Sequence, residues 1–282
     1  MSKVFRALEK AEREKRVQPV QEGPLIEMPE GKEENVLKEA PIINDLDMEI
    51  EKINLPSVIS EDSISMAEGN SFAEEQFRKL RTHIFRISPN PPRCILITST
   101  LPQEGKSTVT INLAMSISRE FHKKAIIIDA DLRNPSIYPG KFENQKGLSN
   151  FLSNEIPISE VLKSLNGDKY RVIPSGPVSS KAAELVGSNK MKMLIKTLKD
   201  IDEEAYILID APPILATSEP LMLSEWVDGV ILVVMAKQAT RSSVKKALGA
   251  VDPKKIIGIV FNDKNMRPNK GYSDYYYRYH KK

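Results

Sequence analysis

Within "LITSTLPQEGKSTVTINLA", residues 96–114, a glycine, a lysine and two hydroxyls follow one another as Gly105, Lys106, Ser107 and Thr108. An apolar run precedes them and a helical pattern follows. Strand, turn and helix start in that order make an anion site, because loop and helix-terminal N–H groups point at the same place. Gly105 lets the backbone come close to a phosphate. Lys106 can reach β- and γ-phosphates, and the Ser107 hydroxyl can bind Mg²⁺. Gln103, Glu104, Gly105, Lys106, Ser107 and Thr108 are therefore the candidate nucleotide loop. Thr100 occupies the place where the strict GxxxxGK[ST] pattern has its first glycine, so the loop entrance must turn without that residue's freedom.

Two carboxylate motifs complete the chemistry. "IIIDADLRNP" ends an apolar run with Asp129 and Asp131, followed by Arg133, and "YILIDAPP" ends another with Asp210. In a parallel sheet the strand ends gather at one edge, where ligands bind. The spacing predicts that Asp129, Asp131 and Asp210 converge beside Lys106. Three carboxylates around one lysine are poorly balanced in an empty core. With Mg²⁺ and a triphosphate the charges balance.

The elements that must position these residues read as alternating strands and helices. Strands are expected at 94–99, 124–131, 170–175, 205–212, 229–236 and 255–262. Helices are expected at 71–86, 106–120, 157–165, 190–201 and 241–251. The strands are continuous apolar runs, which is how strands covered on both faces read. The fold class is α/β, a mostly parallel, doubly wound sheet of the P-loop type. Before it, residues 3–16 place Val4, Phe5, Leu8 and Ala11 on one helical stripe, giving an amphipathic segment over 1–16. Residues 17–70 are rich in Pro, Glu, Asp and Ser, and read as a flexible, disordered acidic linker. The catalytic domain spans 71–263, and a polar tail spans 264–282.

Charge follows the same division. Residues 1–16 carry six Lys/Arg against three Glu, and 17–70 three Lys against thirteen Asp/Glu, which leaves the remainder at +10 within a net +3. Such a body is either an ordinary solvated surface or one tuned for nucleotides, anionic lipid or an acidic partner. Hydrophobic residues make up 40%, enough for a substantial core. The single cysteine, Cys94, precludes an internal disulfide framework and suits a reducing cytosol. The first residues are charged and lack the apolar stretch of a secretory leader. The longest apolar run, 229–236, is too short to cross a bilayer. A cytoplasmic protein is expected.

The loop, DADLRNP and LIDAPP resemble the Walker A, Walker A′ and Walker B motifs of the bacterial tyrosine kinases (BY-kinases), the polysaccharide-biosynthesis tyrosine autokinases. The resemblance covers roughly 71–282 and includes "GLSNFL" (147–152), "SGPVSSKAAELV" (175–186) and "FNDKN" (261–265). Members usually have Asn-Pro before the Glu-Leu of the second stretch, where Lys181-Ala182 stand here. The opening "MSKVFRALEKAEREK" is similar to the start of members encoded without their own membrane segment.

The resemblance implies an ATP- and Mg²⁺-dependent protein-tyrosine autokinase. Lys106 and Ser107 would hold phosphates and Mg²⁺. Asp210 and Asp129 would serve the metal, Asp129 and Asp131 would help deprotonate the incoming tyrosine, and Asn262 would sit near the adenine. It also implies a homo-oligomeric ring, a membrane-embedded polysaccharide co-polymerase or chain-length regulator that activates the kinase and recruits it to the membrane, and an opposing phosphotyrosine phosphatase.

The tail supplies Tyr272, Tyr275, Tyr276, Tyr277 and Tyr279 as phosphoacceptors. Its plainer alternative is an aromatic terminus docked on the body. "EQFRKLR" places Glu75, Arg78 and Arg81 on one helical face. In the family this motif engages the next subunit, and otherwise it is a salt-bridged solvent face. Two further functional classes stay open. One is a MinD/ParA-type partition ATPase, whose loop carries a lysine at the place of Leu101. The other is a nucleotide-gated binding module. Nucleic-acid binding is not expected, because the tyrosines are not set on strands as stacking platforms.

Overall fold

The computed structural model describes residues 52–53, 72–137, 145–153, 156–165 and 169–263. The expected helix at 3–16 and the tyrosine tail at 264–282 lie outside the described residues.

The elements run β1 (Lys52–Ile53), α1 (Phe72–Phe85), β2 (Cys94–Ser99), α2 (Lys106–Ser118), β3 (Lys124–Asp129), α3 (Leu148–Leu152) and α4 (Ile158–Val161). There follow β4 (Lys163–Leu165), β5 (Tyr170–Ile173), α5 (Ala182–Val186), α6 (Asn189–Ile201), β6 (Ala205–Asp210) and α7 (Glu219–Trp226). β7 (Gly229–Met235), α8 (Arg241–Gly249) and β8 (Ile256–Asn262) complete the order. The eight strands form one sheet in the order β1-β4-β5-β3-β6-β2-β7-β8. Every neighbouring pair is parallel except β4 with β5.

The apolar strands β2, β3, β6 and β7 are buried almost throughout, as expected for strands covered on both sides. Residues of one parity, among them Ile95, Ile97, Ile127, Leu208 and Ile231, pack with Val109, Leu113 and Ile117 of α2 and Ile84 of α1. The opposite parity, including Leu96, Ile128, Ile209 and Leu232, is equally buried. On the helical side, α6 lies against β6 and α7 against β2. This is the doubly wound α/β sheet that the apolar runs predict.

Two stretches differ from expectation. Residues 157–165 form one turn of helix and then a strand. Leu162 leaves the helix with extended angles, and Lys163 and Ser164 pair with Val172 and Arg171 of β5. Ladder bonds there override a helical pattern that is short in any case. Within the stretch read as linker, Lys52 and Ile53 pair in parallel with Ser164 and Leu165 and add an edge strand to the sheet.

α1 is fastened to α2 by charge as well as by apolar contact. Glu74 accepts Arg119 at 2.5 Å. Arg81 donates to the Ser116 carbonyl at 2.7 Å and pairs with Glu120. The free thiol of Cys94 is buried in β2. Burial, with Asp228 nearby, pushes it up to about 12, which makes it an inert core group.

Candidate active site

β2 ends at Ser99 and α2 begins at Lys106, so residues 100–105 form the loop at the C-terminal edge of the sheet. Its left-handed residues are Gln103 (φ 63°) and Gly105 (φ 87°). Thr100 needs no such angle, which explains why a threonine can replace the glycine of the strict pattern. Gly105 is required twice over. A Cβ there would meet Asn262 Nδ2 at 2.2 Å, and its left-handed backbone disfavours any side chain. The first N–H groups of α2 have no carbonyl one turn earlier in the helix, and they sit at the loop.

A cleft of about 1210 Å³ opens beside this loop. Pro102, Gln103, Gly105, Lys106, Ser107, Thr108, Asp131, Arg133, Ser136 and Asn262 all line it, and Phe72, Phe77, Leu80 and Phe261 form an apolar side. Its size and mixed lining suit a nucleotide. Glu104 does not face the cleft. It is fully buried and accepts the Leu101 N–H at 2.7 Å and the Met235 N–H at 3.1 Å.

Lys106 is the centre of the charge arrangement. Its ammonium lies 3.0 Å from Asp131 and 3.3 Å from Asp210. Burial works against its charge, but Asp210 and Asp131 outweigh burial and raise its pKa. Ser107 donates to Asp210 at 2.5 Å, and its oxygen is also 2.5 Å from the Ser136 hydroxyl. Sheet register sets Asp129 directly opposite Asp210. Asp129 accepts the N–H groups of Asp131 at 3.2 Å and Ile137 at 3.3 Å. Burial first, then the neighbouring Asp210, pushes its carboxyl up to about 8, against the pull of Lys106. Asp210 is raised too, mainly by burial. Of the three aspartates, Asp131 and Asp210 meet Lys106 directly, and Asp129 stands beside Asp210 in register. Asp131 reaches the cleft, while Asp129 and Asp210 are set behind it.

Among the described residues, no three His, Cys, Asp or Glu side chains form a ready-made metal cage. Mg²⁺ does not need one. It binds through one or two carboxylates, a hydroxyl, waters and the substrate's own phosphates. Ser107 and Asp210, oxygen donors in mutual contact, fit that requirement.

Other candidates fall into place differently. Arg133 lines the cleft but is held by buried Glu219 at 2.8 Å. Asn262 donates to the Glu104 carbonyl at 3.0 Å and closes over Gly105. Glu75 and Arg78 pair with each other at 3.2 Å, with Arg78 half-exposed. Arg81 is instead turned onto α2. Sequence reasoning missed Ser136 and Glu219. Neither carries a motif of its own, although Ser136 follows directly on the RNP of the second motif.

A domain-family profile described as "AAA domain" matches residues 94–253. The chain is 32% identical over 226 residues to the tyrosine-protein kinase YwqD of Bacillus subtilis, covering 79% of this chain and 94% of that one. Among solved structures it resembles the kinase domain of the Escherichia coli tyrosine kinase ETK, with a TM-score of 0.64 and 25% identity over 80% of this chain and 88% of that one. The septum site-determining protein MinD of Pyrococcus horikoshii, complexed with Mg-ADP, matches with a TM-score of 0.50 and 21% identity over 64% and 76% of the two chains, a likeness of fold.

Proposed function

The chain belongs to the bacterial tyrosine-kinase family and is a protein-tyrosine kinase of the P-loop type; on that premise we propose that it is an autokinase acting in trans on its own C-terminal tyrosines. The observation that carries this reading is the meeting of Lys106, Ser107 and Asp131 at one cleft, with Asp210 directly behind them.

Phosphoryl transfer asks the protein for position and charge neutralisation more than for covalent chemistry. In this reading the loop N–H groups and Lys106 hold the β- and γ-phosphates of ATP. Ser107, Asp210 and Asp129 would hold Mg²⁺, which when bound neutralises phosphate charge. Lys106 is kept in place and charged by Asp131 and Asp210. The phosphates draw it forward, and Asp131 becomes free to accept the proton of the attacking tyrosine hydroxyl, with Asp129 behind it. The tyrosine oxygen forms its bond to the γ-phosphorus as the bond to the β-bridging oxygen breaks, and ADP leaves. The apolar side of the cleft and Asn262 receive the adenine.

The acceptors are Tyr272, Tyr275, Tyr276, Tyr277 and Tyr279 of a neighbouring copy in a ring, which Glu75 and Arg78 help to assemble. Each phosphate adds about −1.5 to −2 charges. Accumulated repulsion loosens the ring, and a phosphotyrosine phosphatase resets it. No helix among the described residues is long and apolar enough to cross a membrane. The kinase would act at the cytoplasmic membrane face through a membrane-embedded chain-length regulator, and its cycle would govern polysaccharide synthesis and export. A partition-ATPase reading is not favoured, because Leu101 stands where that group carries its lysine.

The test mixes two chains, Lys106→Met with an intact tail and an active chain lacking 272–279, with MgATP. Phosphotyrosine on the Lys106→Met chain is expected. An unlabelled Lys106→Met chain beside a self-labelling wild type rejects transfer in trans. Undiminished labelling of the tail-deleted chain rejects the tail as acceptor.

A further inference from the structure

Of the residues from Pro102 to Val109, Glu104 alone does not line the cleft. Both of its carboxylate oxygens are used, and each accepts a different backbone N–H. Oε2 takes that of Leu101 at the loop entrance, at 2.7 Å. Oε1 takes that of Met235, the last residue of β7, at 3.1 Å. The Glu104 carbonyl accepts Nδ2 of Asn262, the last residue of β8, at 3.0 Å. A single residue therefore ties the loop to the ends of two strands, 131 and 158 positions away in the chain. Left-handed residues flank it on both sides, Gln103 and Gly105. That alternation lets its neighbours line the cleft while its own side chain is fully buried. A second tie runs alongside, from Gln238 Nε2 to the Pro102 carbonyl at 2.7 Å.

We propose that Glu104 is a positioning residue for nucleotide phosphates, a buried strut that sets the loop's N–H groups by holding the loop entrance against β7. The inference rests on the reading of this loop as the phosphate site. Thr100 needs no left-handed angle, and the loop entrance is held one residue on, where the Leu101 N–H meets Glu104. A carboxylate is needed because both oxygens must accept. Glutamine keeps one acceptor and turns an NH₂ group against the other N–H, donor facing donor. Aspartate is too short to span both. A buried N–H left without its acceptor is costly, and the loop relieves that cost by moving. Displacements on the order of 1 Å in groups that orient a substrate are enough to cost a hundredfold in rate.

The experiment compares wild type, Glu104→Gln and Glu104→Asp as full chains, by calorimetric titration with MgADP and with AMP. ADP presents the phosphate that the loop cradles, whereas AMP depends mostly on the base side of the cleft. In wild type a preference for MgADP over AMP is expected. In both variants the Kd for MgADP should rise tenfold or more and that for AMP less than threefold, so the preference collapses. A merely structural role lowers the melting temperature and leaves the ADP-to-AMP ratio intact, which overturns the inference. So does failure of both variants to fold, since Glu104 is then a core element. A wild type without any preference for MgADP removes the phosphate-site reading itself, and the inference with it.

Discussion

Asp129 and Asp210 are register partners at the ends of the adjacent parallel strands β3 and β6, and both are buried. Burial raises both carboxyls, and Lys106, bridging Asp131 and Asp210, supplies the positive charge beside them. Replacing Lys106 by methionine leaves those carboxylates without their counter-ion. The nucleotide-free protein should lose about 3 kcal/mol of stability, measured by chemical denaturation. Phosphotyrosine formation should fall by about 10² or more, measured with γ-labelled ATP.

Gly105→Ala forces a side chain into a left-handed backbone and toward Asn262 Nδ2. Backbone strain should cost about 1–2 kcal/mol. Displacement of Asn262 should also break its bond to the Glu104 carbonyl. MgADP affinity should fall roughly tenfold, the equivalent of about 1.4 kcal/mol. Titration of the folded variant checks this, and unchanged affinity would show that the loop tolerates a Cβ.

The three residues of the EQFRKLR motif should not behave alike. Arg81 donates to the Ser116 carbonyl and pairs with Glu120, so Arg81→Ala should destabilise the monomer by about 1–2 kcal/mol. Glu75→Ala with Arg78→Ala removes the partly exposed Glu75–Arg78 pair and the longer contact of Arg78 with Glu74 at 3.8 Å, and should change stability by less than about 0.5 kcal/mol. That double variant is the clean test of assembly by light scattering. If it still forms the wild-type oligomer, the pair is only a solvated face.

Far from the cleft, Asp228 accepts the N–H groups of Arg93 at 3.1 Å and Cys94 at 2.9 Å and pairs with Lys199. Burial alone would raise its pKa, but Lys199 and the two N–H groups outweigh it and hold the carboxyl below its ordinary value. Protonation therefore favours the unfolded chain. The stabilisation is complete above the unfolded value of about 3.9 and is lost as pH falls through the folded one. Asp228→Asn should cost about 1 kcal/mol at pH 7, and the gap to wild type should narrow as pH falls below the unfolded value of about 3.9. Melting curves across that range decide it.

The strand-loop-helix and the two Asp motifs were legible because their chemistry is local. An apolar run followed by GKS, or by an aspartate, states both its element and its place at the strand end. The inward turn of the Glu104 side chain is not legible for the same reason: the pattern counts residues along the loop and carries no information on which side chain turns inward. That depends on left-handed angles at Gln103 and Gly105 and on acceptors needed at Leu101 and Met235. Ser136 and Glu219 were invisible because only tertiary packing brings them to Ser107 and Arg133. The short helices α3, α5 and α7 and the switch from α4 to β4 escaped notice too. Elements of three to eight residues owe their form to neighbours more than to propensity.

The pairing of Lys52–Ile53 with β4 has a practical consequence. A chain shortened to begin at residue 71 would keep the whole catalytic cleft yet bare the outer rim of β4, a template on which another chain can lay a strand. Clumping of such a shortened protein would then reflect a missing selvedge rather than any defect in its chemistry. Starting the chain a few residues before Lys52 should cure it.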